Sequence, residues 1–319
     1  MRVGLFDAIR IQSLELIFNK KQKFFEVWND SYSVRILEHL LPNEELGFRD
    51  RLLSLSCNIR EIFRADSKNA RGGGDVSESQ SKMSVGGTAW ERIVVWYLNA
   101  LGSGLDAVIF NKKGQSTCLP RSFRDAFNVT ISNTSISSDL DVAALNWIGP
   151  DNQDWMLERF ESNDKNDMAR AKMIFSNLVD SQPNHFSVCI ISTKTNWNDS
   201  IQTPMLWNLV FTRGFHHPLV SVGRNQYSTE QFGYFSYGFA TVPTSRFQTY
   251  KPGSAPVLRA STLSGGSYWG LPADESKRML PLSEIFSGRT RMPRGNVVGE
   301  NLFSFISDAE GKDIFGLRK

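Results

Sequence analysis

The sequence predicts an α/β fold in which a mixed central sheet is flanked by helices. The segment FSVCII at residues 186–191 is a short apolar run rich in β-branched residues, the pattern of a buried strand. Two more short apolar segments, at residues 107–110 and 139–145, have the same character. Amphipathic helical patterns precede and separate them, so strands and helices share one core.

The N-terminal region, residues 1–70, is predicted to be helical. Apolar residues recur there near the helical spacing from residue 5 to about residue 64. Pro42 marks a break, because proline cannot continue a helix. Residues 71–87, RGGGDVSESQSKMSVGG, are rich in Gly and Ser and are predicted to form a flexible linker.

Residues 88–212 are predicted to form the core of the protein. Thr88 is a suitable N-cap for a helix, and Glu91 follows at the spacing of a capping box. The helix expected at 151–178 separates the strands expected at 139–145 and 186–191, which predicts a crossover connection between those two strands. The elements expected after the first helix are strands at 107–110, 127–131 and 139–145, an amphipathic helix at 151–178 interrupted at 162–164, and the strand at 186–191.

The C-terminal region, residues 213–319, has short strand patterns, Gly- and Pro-rich loops and an excess of arginine. Between residues 213 and 294 there are ten Lys and Arg residues and four acids, with aromatic residues between them. Such a surface is typical of contact with DNA, and Arg224 and Arg246 are candidate contacts. An ordinary β-rich lobe with surplus arginine is the alternative.

Composition restricts the class of protein. A net charge of +3 is too small to indicate nucleic acid by itself, and 40% hydrophobic residues are ordinary for a globular protein. No apolar run approaches the roughly 20 residues of a membrane span, and no signal-peptide pattern is present. Three cysteines without Cys-x-x-Cys spacing argue against structural zinc, and Cys189 is expected to be a buried, reduced thiol. These features predict a cytoplasmic protein without a membrane partner.

The candidate site combines two neighbouring strand patterns. Asp139 and Asp141 alternate along one strand and share a face. Ser192 and Lys194 alternate in the same way at the end of the 186–191 strand. Because a lysine is costly to bury without an anionic partner, Asp141 is the expected partner of Lys194. A lysine that is simply solvated at a strand exit is the alternative.

This combination resembles the PD-(D/E)XK nucleases, in which a strand aspartate and an acid-x-lysine on the next strand meet around a divalent metal. The segment KTNWNDSIQTPMLWN, residues 194–208, is similar to type II restriction endonucleases, and the resemblance covers residues 88–211. The family pattern has Glu or Asp where this chain has Ser192. In Ser-x-Lys variants a neighbouring helix supplies that acid, which here implies Glu91.

The resemblance implies a restriction-endonuclease-like fold and a Mg²⁺-dependent hydrolysis of double-stranded DNA within a restriction-modification system. Asp141 and Glu91 would hold Mg²⁺, Lys194 would position or help deprotonate the attacking water, and Ser192 would be a weak ligand or orient that water. A homodimer is expected, because one centre cuts one strand and a palindromic site mirrors a protein two-fold axis.

The polar stretch after Lys194 supplies further candidate DNA contacts. Asn196, Asn198 and Gln202 carry amides that can read adenine edges or hold phosphates, although Asx turns would use the same residues. Two other functions remain open. The chain can be a non-catalytic DNA-binding module that keeps the nuclease fold, or an α/β enzyme in which Lys194 binds an anionic small molecule.

Overall fold

The structure is a computed structural model. It describes residues 1–18, 23–41, 46–69, 76–111, 118–136, 140–195, 202–213, 218–241, 255–259, 268–269, 282 and 315–317. Within these residues helices flank a five-stranded mixed sheet, so the predicted α/β class is confirmed.

The N-terminal region is helical, as predicted. A short strand, β1 (Arg2–Val3), precedes it. The apolar residues of the N-terminal helices face the core because they recur at helical spacing. The break predicted at Pro42 lies outside the described residues, between the end of one helix and the start of the next. The helices are α1 (Leu5–Ile17), α2 (Lys23–Val27), α3 (Ser33–Leu40) and α4 (Phe48–Asn69), with one π-helical turn at Trp28–Tyr32.

Helix α5 (Val76–Leu101) begins twelve residues earlier than predicted. The linker prediction is therefore wrong for residues 76–87, and residues 71–75 lie outside the described part. Thr88 is inside the helix rather than at its N-cap, so the capping-box interpretation of Glu91 is also wrong. Glu, Gln, Lys and Met in this stretch favour helix, and two adjacent glycines cost only about 1 kcal/mol each in a helix.

The central sheet has the strand order β10-β9-β7-β5-β2. Strand β5 pairs antiparallel with β2 on one side and with β7 on the other, whereas β9 pairs parallel with β7 and with β10. Strand β5 and all of β7 except Lys194 are buried because both faces of the sheet are covered there. The strands are β2 (Ala107–Asn111), β5 (Val142–Trp147), β7 (Phe186–Lys194), β9 (Tyr234–Thr241) and β10 (Tyr268–Trp269).

The crossover helix predicted between the acidic and lysine strands does not have that role. Strands β5 and β7 are antiparallel, so their connection needs no crossover. The predicted helix at 151–178 is a 3₁₀ turn (Asp154–Met156), a short strand β6 (Phe160–Glu161) that pairs with β1, and a helix from residue 165 to residue 181. Residues 162–164, where an interruption was predicted, are the turn that precedes this helix. The parallel connection, from β7 to β9, contains a helix from residue 202 to residue 213.

A small antiparallel sheet of order β4-β3-β8 lies beside the central sheet. Its strand β8 and the central strand β9 both come from the region after residue 212. The sheets therefore continue past residue 212, where the predicted core ends, and the central sheet includes Tyr268–Trp269. The remaining elements are α6 (Arg121–Ala126), β3 (Val129–Ile131), β4 (Thr134–Ile136), α7 (Lys165–Ser181), α8 (Gln202–Arg213), β8 (Val220–Val222), α9 (Ala255–Leu258) and 3₁₀ turns at Pro183–His185 and Thr229–Gln231.

Side chains cover the free edge of β2. The Asn99 amide donates to the Ile109 carbonyl (2.8 Å) and accepts from the Ile109 amide (3.1 Å), as a neighbouring strand would. Ser13 donates to the same carbonyl, and the buried Arg10 donates to the Ala107 carbonyl. Unpaired edge groups are costly when buried, so these contacts allow β2 to end the sheet inside the protein.

The cysteines and helices agree with two of the composition-based expectations. Cys189 is buried and free, and burial raises the pKa of its thiol to about 12, more than the hydrogen bond with Ser236 lowers it. A thiol with that pKa stays protonated and inert. Among the described residues no helix is long and apolar enough to cross a membrane.

Candidate functional site

Four strands of the central sheet bring polar residues to one end of the sheet, where the strands begin or end. We call this end the polar edge of the sheet. Strand β2 ends there at Asn111, β5 begins there after Asp141, and β7 and β9 end there at Lys194 and Thr241. The register pairs Val142 with Ile191, so Asp141 and Ser192 occupy the next pair of positions. The predicted meeting of the aspartate strand and the lysine strand is present at this edge.

Asp141 is buried and its carboxylate is contacted from the end of β7. Its Oδ2 accepts hydrogen bonds from the backbone amide of Thr193 (2.8 Å), from Ser192 Oγ (3.3 Å) and from Thr193 Oγ1 (3.4 Å). Lys194 Nζ lies 3.6 Å from the same oxygen. Donors from three consecutive residues of β7 therefore converge on this one carboxylate oxygen.

Lys194 connects this buried carboxylate to the surface. Its side chain is 20% exposed, whereas the Asp141 side chain is 6% exposed. Alternation along β7 places Lys194 and Ser192 on one face of the sheet. An anion that approaches this edge can therefore reach the ammonium group of Lys194 beside the carboxylate of Asp141.

Thr193 is a site residue that the sequence did not identify. Alternation directs its side chain away from Ser192 and Lys194, so it was not expected to contact Asp141. However, Asp141 precedes the first paired residue of β5, and its carboxylate reaches the backbone amide and the hydroxyl of Thr193. A carboxylate just before a strand can take the place of a backbone carbonyl in the hydrogen bonding between two strands. The position of Asp141 before β5 was therefore the sequence signal that could have indicated a contact with Thr193.

Glu91 is buried on α5 and hydrogen-bonded to β2. Asn111 Nδ2 donates to Glu91 Oε2 over 3.1 Å. Asn111 pairs with Val142, and Val142 pairs with Ile191, so these residues share the sheet face opposite to Ser192 and Lys194. Glu91 thus contacts the same edge of the sheet at β2, and its role as the missing acid remains a prediction.

Glu158 and Glu161, two acids in the segment between β5 and β7, are paired away from the site. Glu158 accepts from Arg170 at the surface, and Glu161 accepts from Arg2 and lies near the N-terminal amine. These exposed pairs contribute little to stability and place neither acid beside Asp141.

The donor set suits a hard cation. Asp141 supplies a carboxylate, and Ser192 and Thr193 supply hydroxyls that contact the same oxygen. Mg²⁺ is commonly held by one or two carboxylates together with water and substrate phosphate, so these oxygen ligands fit it. Within the described ranges no group of three or more His, Cys, Asp or Glu side chains could hold a metal ion.

Several predicted site residues lie outside the described residues. Asp139, Asn196, Asn198 and Arg246 belong to this group. Gln202 begins α8, and only its backbone is described. Their predicted roles in metal or DNA binding therefore remain predictions.

Arg224 has a structural partner that the sequence did not indicate. Its Nε donates to Asp125 Oδ1 over 2.6 Å, while Asn225 and Arg121 donate to Asp125 Oδ2 over 3.0 Å and 3.4 Å. Burial raises the pKa of Asp125, but the hydrogen bonds from Asn225, Arg224 and Arg121 and the charge of Arg224 together hold it below its ordinary value. The Arg224 side chain remains 55% exposed, so binding Asp125 leaves part of it accessible to an anion.

Comparison with known proteins adds no relative to this description. No protein-family model matches the sequence. No curated protein matches it either. The inference of function therefore rests on the geometry of the chain itself.

Proposed function

We propose that this protein is a Mg²⁺-dependent endonuclease that hydrolyses double-stranded DNA, of the restriction type. The observation that carries the proposal is the meeting of Asp141 and Lys194 at the ends of two adjacent strands, 3.6 Å apart. This arrangement of a strand aspartate and a lysine on the next strand is what the resemblance to PD-(D/E)XK nucleases requires. The oxygen-rich surroundings of Asp141 also suit the ion that such hydrolysis needs.

Asp141 would hold Mg²⁺, with Ser192 as a weak ligand or as a group that orients water, and Glu91 would complete the site directly or through water. When bound, the ion supplies Lewis-acid stabilisation of the charge that develops on the phosphate. Lys194 adds a positive charge beside the reacting phosphate and positions the attacking water. Thr193 holds the Asp141 carboxylate in place through its backbone amide and hydroxyl.

In this proposal the protein acts as a cytoplasmic homodimer. One centre of this kind cuts one strand, and two copies related by a two-fold axis would cut both strands of a palindromic site. The amides of Asn196, Asn198 and Gln202 and the arginines Arg224 and Arg246 would contact DNA near the centre. A methyltransferase encoded by neighbouring DNA would support assignment to a restriction-modification system.

A DNA-binding module without catalysis is the second candidate. Its supporting observation is Ser192, which contributes a hydroxyl where the nuclease pattern has a carboxylate and donates it to Asp141. With a single carboxylate, Asp141 and Lys194 can form a purely structural ion pair. The alternative predicts specific DNA binding with no strand cleavage.

A plasmid-nicking assay separates the two candidates. The wild type should convert supercoiled plasmid to nicked or linear DNA with Mg²⁺ and not with EDTA. Asp141→Ala and Lys194→Ala should each lower the cleavage rate by about 10³-fold while retaining DNA binding. Glu158→Gln, a matched loss of a carboxylate from a surface pair, should cleave like the wild type.

Two results would count against the proposal. Cleavage near the wild-type rate by either site variant would exclude Asp141 and Lys194 as the nuclease centre. Binding of DNA by the wild type without Mg²⁺-dependent nicking would favour the non-catalytic module.

A further inference from the structure

Thr241, the last residue of β9, carries a buried hydroxyl group. The residue is 1% exposed, and its Oγ1 has no hydrogen-bond partner in the described part of the chain. A buried hydroxyl without a hydrogen bond destabilises a protein, and most buried polar groups are therefore paired. Valine would preserve the shape and strand preference of this position without that cost, so the hydroxyl calls for an explanation.

The position of Thr241 in the sheet connects this hydroxyl with the candidate site. Strands β7 and β9 are parallel, and their register pairs Lys194 with Thr241. Side chains paired in this way project from the same face, and neighbouring strands lie about 4.8 Å apart. Thr241 is therefore next to Lys194 at the edge of the sheet where Asp141 also lies.

Two buried serine hydroxyls that also have no hydrogen-bond partner among the described residues provide a comparison. Ser103 lies in the turn between α5 and the start of β2, at the opposite end of the sheet from Thr241. Ser122 lies in α6. Neither is next to a residue of the candidate site. Thr241 differs because it combines an unpaired buried hydroxyl with a place beside Lys194.

We infer that Thr241 is a further substrate-contacting residue, whose hydroxyl donates a hydrogen bond to a non-bridging oxygen of the DNA phosphate held at Lys194. The inference rests on the proposed nuclease function. A hydroxyl supplies one directed donor, and a phosphate oxygen is a strong acceptor for it. The ammonium group of Lys194 attracts the phosphate but does not fix its orientation. The hydroxyl of Thr241, held at the end of a strand, would fix the orientation of the phosphate through a directed hydrogen bond.

The inference predicts opposite effects on stability and activity. Thr241→Val removes the unpaired hydroxyl at constant shape, so it should raise the melting temperature by about 2 °C. The same variant should slow single-turnover cleavage of plasmid DNA at saturating Mg²⁺ by about tenfold or more, because the hydrogen bond to phosphate is lost. Thr241→Ser keeps the hydroxyl and should retain a rate within about threefold of the wild type.

Ser103→Ala is the matched control, because it removes an unpaired buried hydroxyl away from the site. It should leave the cleavage rate unchanged. Wild-type cleavage by Thr241→Val, or equal losses in Thr241→Val and Thr241→Ser, would overturn the role of Thr241 and leave the nuclease proposal intact. No Mg²⁺-dependent cleavage by the wild type in the same assay would overturn both.

Discussion

Two buried aspartates of this protein each face a cation, but their surroundings differ. Asp125 receives contacts at both oxygens, at 2.6 Å from Arg224 and 3.0 Å from Asn225 in the turn after β8 and at 3.4 Å from Arg121 on α6. Asp141 receives contacts at Oδ2 from the consecutive residues Ser192, Thr193 and Lys194 at the end of β7.

The difference separates a structural ion pair from a candidate reaction centre. The contacts of Asp125 connect elements about 100 residues apart in the chain, so losing them loosens the fold. The side chains that contact Asp141 Oδ2 from β7 are hydroxyls at 3.3 Å and 3.4 Å and an ammonium group at 3.6 Å. Hydroxyls and lysine can turn toward a bound ion or phosphate without moving the backbone.

After the Asp141 and Lys194 variants, the largest effect on cleavage is expected at Glu91, a third buried acid. If Glu91 completes the centre of Asp141, then Glu91→Gln should lower single-turnover cleavage at saturating Mg²⁺ by about 10²-fold. The substitution keeps the size of the side chain and an oxygen for Asn111, so the melting temperature should change little. Unchanged cleavage would leave Glu91 with a structural role and direct attention to Asp139.

A large effect on stability is expected at Asp125. Asp125→Asn should lower the free energy of unfolding at neutral pH by about 2 kcal/mol, a value reduced because its arginine partners are partly exposed. The pKa of Asp125 is lowered in the folded protein. Its stabilisation is therefore full above the unfolded pKa near 4 and is lost as pH falls through the folded pKa.

Denaturant unfolding of the wild type and Asp125→Asn across this pH range checks the expectation. The difference between the two proteins should be constant from about pH 7 to pH 5 and shrink at lower pH. A difference that grows on acidification would contradict the assignment of Asp125 as an ionised structural group.

A moderate effect on DNA binding is expected at Arg224, which belongs to the structural cluster. Arg224→Ala should weaken binding to any duplex by about threefold to tenfold and reduce the salt dependence of the affinity by about one phosphate contact. Fluorescence anisotropy at several salt concentrations measures both quantities. An unchanged salt slope together with a lower melting temperature would restrict Arg224 to its contact with Asp125.

The smallest effect is expected at Gly87, in the helix that carries Glu91. A Cβ at Gly87 meets no atom within 4 Å. If α5 is continuous through this position, Gly87→Ala should stabilise the protein by about 0.5–1 kcal/mol. Thermal unfolding provides the measurement. No stabilisation would return residues 76–87 to the linker that their composition predicts.

Local sequence patterns predicted the strand that ends at Lys194 and its neighbour, the strand that follows Asp141. Each of these patterns lies within a few consecutive residues. The apolar run of β7 and the alternation of Ser192 and Lys194 gave the strand and its polar end. The lysine strand also lies next to the strand that follows Asp141, as predicted. The antiparallel direction was not predicted, because the helix between these strands was interpreted as a crossover.

Features that depend on distant contacts were not predictable from the sequence. The role of Arg224 depends on Asp125, which lies 99 positions earlier. The contact of Thr193 with Asp141 depends on where the pairing of β5 with β7 begins. The early start of α5 was missed because Gly and Ser dominated the interpretation of residues 71–87, although helix-forming residues lie among them.

The central claim is that Asp141, unlike Asp125, binds a divalent ion. Mn²⁺ binds the same oxygen ligands as Mg²⁺, and electron paramagnetic resonance measures its free concentration. In the presence of a short DNA duplex, Asp141→Asn should bind Mn²⁺ about tenfold more weakly than the wild type, whereas Asp125→Asn, tested below its melting temperature, should bind like the wild type. Equal Mn²⁺ affinity of Asp141→Asn and the wild type would contradict the claim.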